Sequence, residues 1–406
     1  MAKPGNKTME DAVRPAGQQV FRRSVYMIGG YEPKSSDAFY ARTERELKRF
    51  CETWGVSAEV LAKGDRENGR IANIRIATDH GGNRVETDWN FFVWNDIVLG
   101  DFAKPFWYRI PRYWLTFADY VLSGTFFRIL FLAWRFALYF LYPAVMHLVF
   151  GIAGWLAGWL VAQLPFPGSL WAGWAAGFTV ALGLWQTVGE RYFVRHLGDL
   201  WSFSRNFIWG YRKDAEAALD HLARLIVQRA SEGNDEEILL VGHSTGGGLI
   251  LDAAARALAL EPEIGAAGPR LQILTVGSTA LKIGMHPAAR AYRARVQTLV
   301  DAPQLRWTEW QALTDIINLF KSDPVKAMGL NPREKDRRRG RFPRVVLVRI
   351  RDMLQPEAYR RVKKNFFRVH YQFIMGNTKR YGQDFYMACC GPHYLQQDRN
   401  QTGDTQ

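Results

Sequence analysis

The chain is poor in the residues that build covalent or metal frameworks. Its 406 residues include three cysteines, Cys51, Cys389 and Cys390. Adjacent cysteines rarely bond to each other and no C-x-x-C occurs, so neither a disulfide scaffold nor a zinc site is implied, and a reducing, cytoplasm-facing body is expected. No histidine cluster has metal-ligand spacing, and no G-x-x-x-x-G-K-[ST] or G-x-G-x-x-G pattern opens a helix, so no metal, nucleotide or other cofactor is expected. Zinc-finger spacing, basic heptads and aromatic RNA-binding patterns are also missing. The net charge of +14 therefore points to an anionic membrane surface and not to nucleic acid. Residues 1–21 lack an apolar h-region and read as a loose tail, not a signal peptide.

The most informative absence is charge. From Phe136 to Gly189 there is no Asp, Glu, Lys or Arg. A membrane span needs about 20 apolar residues, and this interval holds two, Pro143–Leu164 and Ser169–Val188, reversed at Pro165-Phe166-Pro167-Gly168. The alternative is a pair of buried helices in a soluble cap. Lys104, Arg109, Arg112, Arg128 and Arg135 precede the hairpin, and Arg191, Arg195, Arg205, Arg212 and Lys213 follow it, while its turn is uncharged. By the positive-inside rule both ends, and so both termini, face the cytoplasm. Trp155, Trp159, Trp171, Trp174 and Trp185 suit interfacial or interhelical positions. Gly154/Gly158 and Gly173/Gly177 form one G-x-x-x-G each, for close packing of the two spans or for oligomerisation. Tyr108 to Arg135 mixes aromatics with spaced arginines and reads as an interfacial helix; a third span would separate the flanking segments across the bilayer.

What is present is organised around Ile238-Leu239-Leu240-Val241-Gly242-His243-Ser244-Thr245-Gly246-Gly247-Gly248. An aliphatic run predicts a buried strand, the Ala/Leu-rich stretch from Leu249 to Leu260 predicts a helix, and Gly-x-Ser-x-Gly joins them. A serine on so sharp a turn leaves no room for side chains two residues either way, which explains the glycines. The plain alternative is a Gly-rich turn closing a strand. Before it, Ser24–Ile28 predicts a strand, Ser36–Trp54 a helix, and Ala72–Thr78 and Val85–Trp94 two further strands. Tyr211–Arg229 predicts an amphipathic helix, and Leu271–Val276, Trp307–Leu313 and Val345–Ile350 the later strands. Such alternation predicts an α/β fold with a mostly parallel sheet and helices on both faces. His80 reads as a turn residue. The cluster Arg333, Lys335, Arg337, Arg338, Arg339, Arg341 and Arg344 reads as a solvated loop or a headgroup contact.

Gly242-His243-Ser244-Thr245-Gly246, between a strand and a helix, resembles the nucleophile elbow of the α/β-hydrolase superfamily. The resemblance covers the chain from about Ser24 onward, interrupted by the hairpin. It implies Ser244 as nucleophile, with an acid and then a histidine later in the chain. It also implies an oxyanion hole from the Thr245 N–H and an N–H of the loop after an early strand, here Gly30 or Tyr31; those residues equally make an ordinary Gly-Gly turn. By order and position the acid is Asp315, with Asp323 as the alternative, and Asp323 before Pro324 also suits a cap. The base is His370, with His393 as the alternative; His286 lies too early. His243 is expected to support the elbow, and Asp301 and Glu309 read as structural.

The expected layout is therefore a first part of the hydrolase domain at 22–107, an interfacial helix and hairpin at 108–189, and a second part at 190–406. The insertion departs from the usual cap position, so no conventional lid is identifiable. The expected activity is hydrolysis of an ester or thioester through an acyl-enzyme, on an amphiphilic or lipid-like substrate suited to the bilayer. Acyl transfer by the same triad and a non-catalytic, membrane-tethered scaffold are the alternatives.

Overall fold

The computed structural model describes residues 19–332 and 342–395. Eight strands, β1 (Arg22–Ile28), β2 (Ser57–Arg66), β3 (Ile71–Asp79), β4 (Arg84–Phe92), β5 (Glu237–His243), β6 (Arg270–Val276), β7 (Arg306–Ala312) and β8 (Arg344–Val348), form one sheet in the order β2-β3-β4-β1-β5-β6-β7-β8. From β4 to β8 every pairing is parallel, while β2 and β3 add an antiparallel edge. The protein is α/β with a mostly parallel sheet, as expected. β2 was not expected: its exposed sequence, broken by Glu, Lys, Gly and Asp, carries little of the apolar alternation that marks a strand. The N-terminal tail up to residue 18 and the basic cluster from Arg333 to Arg341 lie outside the described residues.

Helix α1 (Ser36–Trp54) has the expected bounds. Ser35 caps it by accepting from the Ala38 N–H, and Gly55, in the left-handed region at φ 70°, ends it. Between β4 and β5 come α2 (Asn95–Phe102), α3 (Phe106–Leu122), α4 (Thr125–Leu132), α5 (Trp134–Ala162), α6 (Ser169–Arg191), α7 (Val194–Ile208) and α8 (Lys213–Glu232). The helical insertion is thus wider than the expected 108–189, and α7 packs into the main core through Leu197, Leu200, Trp201 and Phe203. After β5 follow α9 (Thr245–Leu260), α10 (Leu281–Gly284), α11 (Arg290–Asp301) and α12 (Pro324–Ala327). Short helices at Ile350–Met353, Pro356–Val362, Phe366–Tyr371 and Phe385–Cys390 close the described chain. One apolar cluster lies on each face of the sheet; the α8/α9/α11 side also takes in the base of the insertion.

Helices α5 and α6 run antiparallel, and their glycines face each other within the chain. A Cβ at Gly154 would lie 2.8 Å from Ala181 Cβ, and one at Gly158 2.6 Å from the Gly173 carbonyl oxygen, so only glycine permits this approach. Among the described residues α5 is the one helix long and apolar enough to cross a membrane by itself; α3 and α4, bent by 71°, pass only when taken together. Helix α6 carries Gly, Trp, Ser, Thr and Gln among its apolar residues, which lowers its hydropathy below that of α5. The stretch from Tyr108 to Arg135, expected as one interfacial helix, is broken at Ser123-Gly124 into the bent pair α3/α4.

Candidate active site

Strand β5 is buried throughout and a single residue separates its end from the start of α9, so the reversal falls on Ser244 alone. Its backbone sits at φ 58°, ψ −123°, a region normally left to glycine. The turn leaves no space beside it. A Cβ at Gly242 would lie 2.6 Å from the Gly246 carbonyl oxygen, and one at Gly246 would overlap the carbonyl oxygens of Ile28 and Gly29. The Ser244 N–H donates to the Val276 carbonyl at 3.2 Å and its carbonyl accepts from Thr279 at 3.0 Å, which ties the elbow to the end of β6.

The register of β1 on β5, with Ile28 beside Gly242, carries Gly29-Gly30-Tyr31 past the serine. A Cβ at Gly30 would lie 3.3 Å from Ser244 Cβ and 3.6 Å from its Oγ, so this loop runs next to the hydroxyl. Tyr31 turns its ring into the insertion, against Trp94, Phe102 and Phe203, and its hydroxyl donates to Asp101 Oδ2 at 2.7 Å. Thr245 is the first residue of α9, where the backbone N–H has no intrahelical acceptor and the helix dipole favours negative charge.

Asp315 and His370 come together. His370 Nδ1 lies 2.7 Å from Asp315 Oδ2, and Asp315 Oδ1 accepts from the Ile317 N–H at 2.9 Å. Asn318 Nδ2 staples the Asp315 loop by donating to the carbonyls of Ala312 and Asp315. With a proton on Nδ1 for the carboxylate, His370 Nε2 is an acceptor; it is buried and has no hydrogen-bond partner among the described residues. The ring is fixed beside the elbow. Gly277, at φ 53°, brings its backbone under it, where a Cβ would lie 3.0 Å from His370 Cε1. The His243 ring lies 4.6 Å away between ring centroids, tilted by 36°, and its Nε2 lies 3.2 Å from the His370 carbonyl oxygen. Burial, then the neighbouring His370, holds His243 well below the usual imidazole range, so it stays neutral and donates from Nε2.

The alternatives lie elsewhere. Asp323 caps α12, its Oδ1 accepting from the Val325 and Lys326 N–H groups. His393 bridges to Gln19 and its carbonyl takes Arg23 Nη2 at 2.7 Å, at the start of β1 and thus at the opposite end of the sheet from Ser244. His286 Nε2 sits 3.4 Å from Asp119 on α3. Asp301 takes a hydrogen bond from Gln297, and Glu309 is buried between Thr275 and Gln311. His80, in its turn, contacts the Cys390 carbonyl. No protein family, curated protein or solved structure matches the chain.

Two features were missed in the sequence. The first is the roof. The first turns of α5 pack Phe136, Ala137, Tyr139 and Phe140 into the core that also holds Tyr31, Leu281 and Ile317. Arg135 Nη1 donates to the Leu313 carbonyl two residues before Asp315, and the Phe193 and Phe367 ring centroids lie 4.4 Å apart. Ser244, Asp315 and His370 are accordingly 8%, 2% and 3% exposed. The base of the insertion covers the site from which the sequence seemed to have displaced any lid. The second is Lys282, fully buried, with Nζ 2.9 Å from Thr245 Oγ1. Its signal was one cation inside Ala280-Leu281-Lys282-Ile283-Gly284, a position a reader assigns to the surface of a loop.

Proposed function

We propose that the chain is a membrane-anchored serine hydrolase of the α/β-hydrolase type, acting on an ester or thioester of an amphiphilic, lipid-like molecule. One observation carries it: a buried Asp–His pair, supplied by segments 55 residues apart in sequence, meets beside a serine held in a glycine-type backbone turn. In this reading His370 Nε2 takes the proton of the Ser244 hydroxyl as Oγ attacks the acyl carbon, and Asp315 fixes the tautomer and steadies the imidazolium. The oxyanion is held by the Thr245 N–H and an N–H of Gly30 or Tyr31. The leaving oxygen or sulfur departs with the proton from His370, and water then repeats the sequence on the acyl-enzyme. An acceptor other than water would make the same intermediate an acyl transfer.

The lipid assignment rests on the insertion. Helix α5 divides at Pro143: residues before it pack on the body, and residues 143–162 span about 30 Å, a bilayer's hydrocarbon thickness. Leu148, Ile152, Trp155 and Leu160 on α5, and Trp171, Trp174 and Phe178 on α6, are more than half exposed, the kind of exposed apolar surface that marks a membrane or partner contact. Trp185, by contrast, is buried under Arg109 and Arg195 at the cationic end. We therefore take α5 and α6 as a two-span hairpin with the sheet and both termini on the cytoplasmic side. A roof that continues into the bilayer suits a substrate arriving from the lipid. Oligomers through the glycines would have to use faces other than the paired seam.

The scaffold reading has one observation in its favour, the lack of a hydrogen bond from the Ser244 hydroxyl to His370 Nε2. Labelling of the membrane-embedded protein with a fluorophosphonate separates the two. Labelling that disappears in Ser244→Ala supports the hydrolase; a folded wild type that stays unlabelled in lipid and in detergent supports the scaffold. Turnover of dispersed long-chain esters set against short soluble esters tests the substrate class.

A further inference from the structure

Lys282 is a fully buried cation that the catalytic reading leaves without a task. It lies on α10, at the end of the loop that follows β6, with 0% exposure. Its backbone carbonyl is held by the Tyr120 hydroxyl at 2.9 Å, its Nζ lies 5.8 Å from the centre of the Trp201 ring, and its hydrogen bond goes to Thr245 Oγ1. No carboxylate pairs with it among the described residues. The titratable groups facing it are His196 from α7 and Tyr120 from α3. Burying an ammonium without a counter-ion is costly, and an apolar side chain of the same length would serve packing better. Burial alone pushes its pKa down to about 7.

We propose that Lys282 is a positioning residue of the Ser244 site, holding a positive charge behind the Thr245 N–H so that the oxyanion formed there is stabilised; this rests on the serine-hydrolase reading. The Thr245 hydroxyl accepts from Nζ, so the charge stands one hydroxyl away from the residue whose N–H would be the oxyanion donor. The missing carboxylate is what makes the arrangement useful, because the negative partner of Lys282 appears only when the tetrahedral intermediate forms. Such differential stabilisation accelerates the reaction instead of merely tightening binding.

The test uses the full chain in lipid nanodiscs, with a p-nitrophenyl acyl ester followed across pH and fluorophosphonate labelling in parallel. In the wild type kcat should fall on the alkaline side as Lys282 loses its proton. Lys282→Met should remove that limb and lower kcat about 10- to 100-fold at pH near 6 with KM little changed, a loss below that of deleting a direct oxyanion donor. Lys282→Arg should restore most of the rate and carry the limb out of range, because guanidinium stays charged. Thr245→Val should behave like Lys282→Met, and the double variant should be no worse than either single one. A wild-type-like rate and an unchanged alkaline limb in folded Lys282→Met, or an Arg variant no better than Met, overturns the proposal. A wild type that never labels at Ser244 fails at the earlier step and removes the serine-hydrolase reading together with the role given to Lys282.

Discussion

Replacing Ser244 by glycine should leave the protein inactive and yet more stable than replacing it by alanine. Both variants lack the hydroxyl, but only glycine relaxes the backbone at φ 58°, ψ −123°. A non-glycine residue held there costs about 1–3 kcal/mol, and glycine's greater freedom in the unfolded chain returns about 0.5–1 kcal/mol of that. The net advantage of glycine over alanine is then about 0.5–2 kcal/mol. An unfolding entropy of about 2.1 cal/mol/K per residue, over 406 residues, gives about 0.85 kcal/mol per kelvin, so Tm should be higher in Ser244→Gly by about 0.5–2.5 °C. Tryptophan fluorescence in one detergent at one scan rate resolves such a difference, and fluorophosphonate labelling should be absent in both. If alanine matched or exceeded glycine, the serine would not be held in a strained turn, and the elbow would lose its physical basis.

Gly246→Ala should disrupt the elbow, because its Cβ would overlap two backbone carbonyls that cannot move without unpairing β1; loss of labelling with a Tm lowered by several degrees is expected in the same assay. Asp315→Asn should keep the fold but lower the labelling rate by about 10⁴, since an amide facing Nδ1 favours the wrong tautomer; a loss under tenfold would remove Asp315 from its role. Glu309, fully buried beside Thr275 and Gln311, is pushed up to about 7 by burial. A carboxyl raised in the folded state is protonated there while the unfolded chain has ionised, so the stability it contributes is present below about 4.5 and lost as pH rises to about 7. The Tm of Glu309→Gln relative to wild type should therefore be more favourable at pH 8 than at pH 5, and a pH-independent difference would contradict the burial argument.

The strand before Ser244 and the helix after it, the bounds of α1, the alternation that builds a parallel sheet, and the uncharged interval were legible because each is local. A strand that is buried on both faces must be aliphatic, a helix that starts after Ser35 needs its cap, and a turn without room needs glycine. The order Ser244, Asp315, His370 could be read only with the help of a resemblance. Asp323 before Pro324 suited a cap, which it is, but that did not by itself remove it as the acid, and nothing local marked His393 as lying at the far end of β1.

Tertiary structure decided the rest. Whether Asp315 meets His370 depends on where the loop after β7 and the helix at Phe366–Tyr371 land over the sheet, which no spacing encodes. The roof depends on α5 having two jobs, core packing before Pro143 and an exposed apolar surface after it, though the sequence is apolar throughout. Lys282 shows the same limit most sharply. Its apolar neighbours are compatible with an exposed lysine on a loop, and only the packing of α3 and α7 over α10 takes its charge out of water and sets it against Thr245. Sequence pattern records which faces avoid water; which buried groups then confront one another is fixed by the global packing of segments far apart in the chain.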